Sequence, residues 1–393
     1  MTIFSYQDFK LLTINQCCLT LAIVMQEVII AFQLYTITQN PLSLGLVGLT
    51  EFIPFVLFSL WGGYIADRFN RQRILQICFS LSMPLTALLW WCTDQQYIIL
   101  IYTVLFLFGC IRGIYSPCFN SLRPFLVPKL LYAQAATWTS LCWQVCGVLA
   151  PILGGLCLSY LGLNSTFGLI FVLFMMGSLA LWCMSQRTFP ASVATSVLSS
   201  LKEAIQFIYQ TKIIFWAIFL DLASVFFGGI VALLPIFAQD ILHLQADGFG
   251  LLRAMPAIGS LITMSILVRY PIQKNLWRTM LWAVTGFACC TLMFALTRQI
   301  YLSMLVLFVM GACDSVSIVI RQNLLQLIPP QHLLGRVAAI NGIFVTSSNE
   351  LGAFQSSVVA RFVTVVPAML IGGTLSLLTV FLTHKKTRHI DYD

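Results

Sequence analysis

The chain has 393 residues, 59% of them hydrophobic and 9% charged, with a mean hydropathy of +0.92 and a formal net charge of +8. A soluble domain is about a quarter charged, so this composition excludes a water-soluble globule and points to an integral membrane protein. The apolar runs are unbroken and about 20 residues long, enough for a helix to cross a hydrocarbon core, and they lack the alternation of barrel strands, which selects a helical bundle.

The first apolar run, Leu11 to Tyr35, follows Asp8 and Lys10. It is longer than a signal-peptide core and has no small-residue cleavage site behind it, so it is expected to be retained as the first span. Further spans are expected at 42–66, 74–92, 97–119, 133–159 and 163–184. In the hydrophilic stretch 185–211, Leu201-Lys202-Glu203-Ala204-Ile205-Gln206-Phe207-Ile208 has the apolar spacing of a short helix lying on the membrane surface. Six more spans follow at 213–237, 249–268, 276–296, 300–324, 337–359 and 365–383, before the basic tail Lys385-Lys386-Thr387-Arg388. The expected organisation is therefore an N-terminal six-helix half (1–184), a linker (185–211) and a C-terminal six-helix half (212–393), with both termini on one side.

Orientation follows from the basic residues. Arg68, Arg71, Arg73, Arg123, Lys129, Lys202, Lys212, Arg269, Arg321 and Arg336 fall in the loops of one side, Arg298 and Arg361 on the other, and Arg112 and Arg253 inside spans. Cytoplasmic loops carry the excess of Lys and Arg, so both termini and the linker are expected in the cytoplasm. The same distribution explains the net charge without a nucleic-acid partner, because no long basic tract is present. The 13 cysteines sit almost entirely in apolar runs, with no Cys-x-x-Cys and no neighbouring His. They read as small buried hydrophobes, and neither a metal nor a cofactor is expected.

The halves repeat at a shift of 202 residues. Gly48-Leu49 and Pro54 recur as Gly250-Leu251 and Pro256, Val104-Leu105-Phe106 and Gly109 as Val306-Leu307-Phe308 and Gly311, and Leu122 and Pro128 as Leu324 and Pro330. Glycines and prolines holding one register across three helices identify a duplicated unit, not a coincidence of apolar composition.

Between the second and third spans lies Gly62-Gly63-Tyr64-Ile65-Ala66-Asp67-Arg68-Phe69-Asn70-Arg71-Gln72-Arg73. Its pattern of Gly63, Asp67, Arg68 and Arg71 resembles the signature loop of the major facilitator superfamily of transporters. The resemblance implies a twelve-helix all-α membrane fold of two six-helix halves related by a parallel repeat, with this loop as a conformational latch. In the fifth span, Gly147, Pro151, Gly154 and Gly155 resemble the superfamily's antiporter motif. The match is partial, because Ala150 stands where a glycine is usual, and it implies efflux. Phe125-Leu126-Val127-Pro128, Asp221-Leu222 with Gly228-Gly229, Leu251-Leu252-Arg253-Ala254, Gly335-Arg336-Val337 and Ser348-Asn349-Glu350-Leu351-Gly352 look like the branch that contains the enterobactin exporters. An arginine usual in the fourth span of drug exporters is replaced by Leu105. Whether Arg112, one turn after Gly109, takes its proton-relay role is left open by the resemblance.

Ionisable residues inside spans are the remaining signal, since a charge in hydrocarbon is tolerated where it is paired or meets water. They are Glu27, Glu51, Arg112, Asp221, Arg253, Asp314 and Glu350. Glu27, well inside the first span, is the leading candidate for the coupling proton, with simple pairing to Arg253 as the alternative. The repeat aligns Glu51 with Arg253 and Arg112 with Asp314, which raises pairing of opposite charges from matching positions of the two halves, against local pairing with other neighbours. No Gly-x-x-x-x-Gly-Lys loop is present to bind ATP. The expected function is secondary, proton-coupled efflux of a siderophore or amphipathic drug-like molecule by a monomer in the bacterial inner membrane, its partners being that small-molecule substrate, protons and the lipid bilayer. An importer of a similar substrate is the alternative. An enzyme would need a catalytic constellation and a sensor a sizeable soluble domain, and the sequence offers neither.

Overall fold

Backbone polar groups in hydrocarbon have to be satisfied within their own segment, and every described element of this chain is helical. The computed structural model describes residues 3–185, 197–272, 274–330 and 333–387. Its helices are α1 (Gln7–Thr38), α2 (Pro41–Arg68), α3 (Arg71–Asp94), α4 (Ile98–Leu122), α5 (132–161), α6 (163–182), the linker helix α7 (Val197–Gln210), α8 (Lys212–Gly228), α9 (Ala246–Arg269), α10 (Leu276–Leu296), α11 (Ile300–Leu327), α12 (Leu334–Val363) and α13 (Val365–Thr387). The run 132–182 is helical throughout except at Gly162, whose φ of 75° and ψ of 177° divide it in two. That backbone region is open essentially only to glycine. Past Gly228, α8 continues as irregular turns to Ile241. With the linker helix set aside, twelve bilayer-length helices remain among the described residues, as the sequence led one to expect. One of them, α12, is long enough to span but too polar to qualify by hydropathy, because Ser347, Ser348, Asn349 and Glu350 stand in its middle.

The chain forms two compact units. Unit 1 comprises Met1–Gln39, Leu49–Ala194 and Leu244–Ala254; unit 2 comprises Asn40–Gly48, Thr195–His243 and Met255–Asp393. In unit 1 a Cβ on Gly109 would collide with the Glu51 carbonyl and the Pro54 ring. In unit 2 a Cβ on Gly311 would collide with the Pro256 backbone. These are the repeat positions, so the repeated Gly and Pro are a repeated contact: a glycine of α4 or α11 seats against the proline-bearing turn of α2 or α9. Small residues of this kind let helix backbones approach closely in lipid, where packing drives association.

Buried amides reinforce unit 1. Gln72 and Gln76 of α3 donate to the Met184 and Leu181 carbonyls, at 3.1 and 3.0 Å, and Asn15 of α1 donates to the Gly177 carbonyl at 3.0 Å while accepting from the Tyr115 hydroxyl at 2.8 Å. In unit 2, α10 packs on α11 and α13, and α8 on α12 and α13.

The linker helix departs from expectation. Its apolar face, Ala204 and Ile208, is buried in the unit 2 core with Ile213 and Ile214 of α8 and Val337 and Ile340 of α12, while Glu203 pairs with Arg336 at 2.9 Å. An amphipathic helix needs apolar surface to cover, and here the ends of α8 and α12 supply it, while Ile205 and Tyr209 on its other side stay exposed.

The repeated contact is directly testable. Leucine at Gly109 or Gly311 should cost about 1–3 kcal/mol through overpacking, lowering the melting temperature of the purified protein. Gly147, whose Cβ would meet nothing within 4 Å, should accept alanine with unchanged or slightly higher stability.

Candidate functional site

The contact of Gly109 with the Glu51 backbone sets the first charge cluster. Arg112 lies three residues further along α4, on the same helix face, and so arrives beside the Glu51 side chain. Its Nη1 is 2.8 Å from Glu51 Oε2 on α2 and 3.4 Å from Glu27 Oε1 on α1. One nitrogen thus serves two carboxylates, tightly to Glu51 and loosely to Glu27. The Glu51 side chain is 12% exposed, whereas those of Glu27 and Arg112 are 33% and 39% exposed. The accessible, loosely held member of the cluster is Glu27.

A second cluster lies in unit 2. Asp314, Ser317 and Arg321 occupy one face of α11, at i, i+3 and i+7. Arg321 Nη1 is 3.0 Å from Asp221 Oδ2 of α8, and the Ser317 hydroxyl donates to Asp221 Oδ1 at 3.2 Å. Arg321 also donates to Asn341 Oδ1 of α12 at 3.1 Å, and Asp314 interacts electrostatically with both Asp221 and Arg321. The Arg321 and Asp221 side chains are only 4% and 6% exposed. This cluster is closed, held from three helices.

Of the ionisable candidates, the structure brings Glu27, Glu51 and Arg112 together in one group and Asp221 and Asp314 in another. Arg112 pairs with acids of its own unit, and Arg321 with Asp221, so these contacts are local pairings within a unit. Arg253 lies in α9, within the part that belongs to unit 1. Glu350, in unit 2, directs Oε2 to the place a Cβ of Gly48 would occupy, so the glycine makes room for a carboxylate. Arg321 is the residue the sequence reading missed. It reads as a cytoplasmic loop residue at the end of its span, but α11 continues to Leu327 and buries it. Its position two turns beyond Asp314 was the signal.

In the fifth-span motif, Gly155 meets Ala246 and Gly250 of α9, Gly250 in turn meets the Pro151 carbonyl, and Gly154 faces Met25 of α1. The Asp247 backbone amide donates to Ser159 at 2.9 Å at the same crossing. In the loop motif, Gly63 and Asp67 fall in the last turns of α2, and their side-chain surroundings lie outside the described part of the structure. Arg68 is exposed. Arg71 is buried: it donates to the Ser121 carbonyl at 3.2 Å and lies 5.2 Å over the Phe125 ring, while Asn70 caps α3 by accepting from the Gln72 and Arg73 amides. The loop is thereby tied to the end of α4.

A family model of transmembrane secretion effectors matches residues 1–391. The chain is 23% identical over 375 residues to the enterobactin exporter of Escherichia coli K12, covering 91% of this chain and 88% of that protein. It is 26% identical to the staphyloferrin A transporter of Staphylococcus aureus over 239 residues, 59% of each, and 24% identical to the uncharacterised transporter YkuC of Bacillus subtilis over 89% of this chain and 85% of that protein. Among solved structures it resembles the nucleoside transporter NupG, with a TM-score of 0.76 at 13% identity over 96% of this chain and 98% of that one. It also resembles a D-xylose–proton symporter, with a TM-score of 0.74 at 15% identity over 97% and 98%. At such identities the structural likeness establishes the twelve-helix fold.

The buried pair in unit 2 generates a prediction. Arg321→Met should cost about 3–5 kcal/mol, because it strands buried carboxylates without their counter-charge. Adding Asp221→Asn should recover part of that loss. A melting-temperature double-mutant cycle reads the coupling, and strict additivity would show that the two residues do not act together.

Proposed function

The chain belongs to the transmembrane secretion effector family of major facilitator transporters, and on that premise we propose that it exports a siderophore or a comparable amphipathic small molecule, driven by protons. Relatives named as siderophore exporters and transporters support the substrate class. The observation that carries the coupling is the shared Arg112: one guanidinium holds two carboxylates, one of them at 3.4 Å and accessible.

In this reading Glu27 is the group that takes up and releases the proton. When Glu27 is protonated, Arg112 stays satisfied by Glu51; when it ionises, Arg112 is shared. The cluster can therefore change its charge by one without leaving an unpaired arginine, which hydrocarbon would penalise by about 3 kcal/mol. Asp221 and Asp314, locked with Arg321 in a closed cluster, serve as a brace. Arg253 and Glu350 are further proton-coupling candidates, each within its own unit. Asp67, Arg68 and Arg71, with Gly63, form a cytoplasmic latch, and the Pro151–Gly155 crossing is a fixed pivot. The working unit is a monomer of two six-helix halves, 1–184 and 212–393, in the bacterial inner membrane with both termini in the cytoplasm.

Direction and substrate are tested by profiling metabolites outside a deletion strain. A siderophore or related compound should disappear from the medium and accumulate inside, and depletion inside instead would mean import. For the mechanism, Glu27→Gln in proteoliposomes should abolish concentrative transport under an imposed pH gradient and keep substrate exchange. Uphill transport at the normal rate would pass the coupling role to Asp221 or Glu350.

A further inference from the structure

The outward seam between α8 and α13 carries a cluster that the transport reading does not use. Lys386 Nζ lies 5.6 Å over the ring of Trp216. Lys212, the first residue of α8, stands one turn before Trp216 on the same face, and His384 and Lys385 share the last turn of α13 with Lys386. All three lysines are exposed. The end of α13 is held in place from the inner side, where the Trp277 indole donates to the Thr387 hydroxyl at 3.1 Å.

Beneath the lysines the surface is aromatic and apolar. Tyr209, Phe215, Trp216 and Phe219 form a run of ring contacts with centroids 5.4–6.2 Å apart. On α13, Leu378, Phe381 and Leu382 are exposed at helical spacing, and Lys385 ends that stripe. Among the described residues of α8 and α13 the only acid is Asp221, buried against Arg321. Glu203 of the neighbouring linker helix is engaged by Arg336.

We propose that this end of the α8–α13 seam binds the headgroup of an anionic phospholipid of the cytoplasmic leaflet, with its acyl chain along Phe219, Leu378 and Phe381. Cationic side chains at the surface attract anionic lipid, and a tryptophan at the interface offers an apolar body at headgroup depth. The cation–π contact holds Lys386 at the seam instead of letting it range through solvent. The internal repeat supplies a control. At the shift of 202 residues Lys212 corresponds to Lys10, but Trp216, Lys385 and Lys386 correspond to Ile14, Cys183 and Met184. General positive-inside bias would serve both halves alike, whereas this cluster exists in one.

The test uses the purified full-length protein in detergent, titrated with dioleoylphosphatidylglycerol or dioleoylphosphatidylcholine and followed by native mass spectrometry and thermal melting. Wild type should retain the anionic lipid and melt higher with it, and should not respond to the zwitterionic one. A basic residue near an anionic surface contributes about fivefold in affinity, so Lys385→Gln with Lys386→Gln should weaken phosphatidylglycerol binding roughly 25-fold. The same variant should melt like wild type in phosphatidylcholine, and Lys10→Gln should change nothing. The proposal is overturned if the double variant keeps the full phosphatidylglycerol shift. It is equally overturned if soluble glycerol phosphate produces that shift, since the site would then take a free anion and not a lipid.

Discussion

The two units share one close approach, a glycine of α4 or α11 seated against a proline-bearing turn of α2 or α9. In hydrocarbon there is no hydrophobic drive to bring apolar helices together, so contact at backbone distance is what associates them. That contact also decides where charge can go. Because Gly109 touches the Glu51 backbone, the next turn of α4 lies beside the Glu51 side chain, and the residue standing there is Arg112. Packing and electrostatics are therefore one decision: a bulkier residue at Gly109 would force the helices apart and separate Arg112 from the acid it needs.

The two clusters have the same chemical inventory, two acids and one arginine, in opposite surroundings. In the Arg321–Asp221 pair both side chains are nearly inaccessible, and side chains from three helices meet at the guanidinium. Removing a charge there leaves its partner stranded, so the cluster resists change. Around Arg112 one acid is bonded at 2.8 Å and the other sits at 3.4 Å with a third of its side chain exposed. Here removing the looser acid leaves the stronger pair in place.

Much of this was legible in the sequence. The spans, the repeat and the ionisable candidates follow from hydropathy and from Gly and Pro in register, since those residue types have few reasons to be where they are. Arg321 was misread because a basic residue at the end of an apolar run is ordinarily the edge of the membrane. Only its packing, with α11 running on to Leu327 and Arg321 set against Asp221 and Asn341, shows that it is buried. The linker helix was misplaced for a related reason. Periodicity reveals that Ala204 and Ile208 share an apolar face, but not whether lipid or the ends of α8 and α12 will cover it. The partner of Arg112 was undetermined because repeat alignment relates equivalent positions and says nothing of neighbours within one unit.

The repeat itself makes the difference between the clusters informative. At the shift of 202 residues, Asp221 corresponds to Leu19, Arg321 to Phe119 and Glu27 to Gly229. The backbone contacts are thus duplicated while the charges are not. If the ion pairs served only to hold helices together, the duplicated contacts would need duplicated pairs. They do not, because the glycine-on-proline approach already associates the helices in both units. The charges are then free to differ: a closed cluster that ties α8 to α11 and α12, and a looser one on α1, α2 and α4 whose weakest-held acid is a third exposed. The divergence between the two clusters thus separates a rigid, buried pair in one unit from a looser, more exposed group in the other.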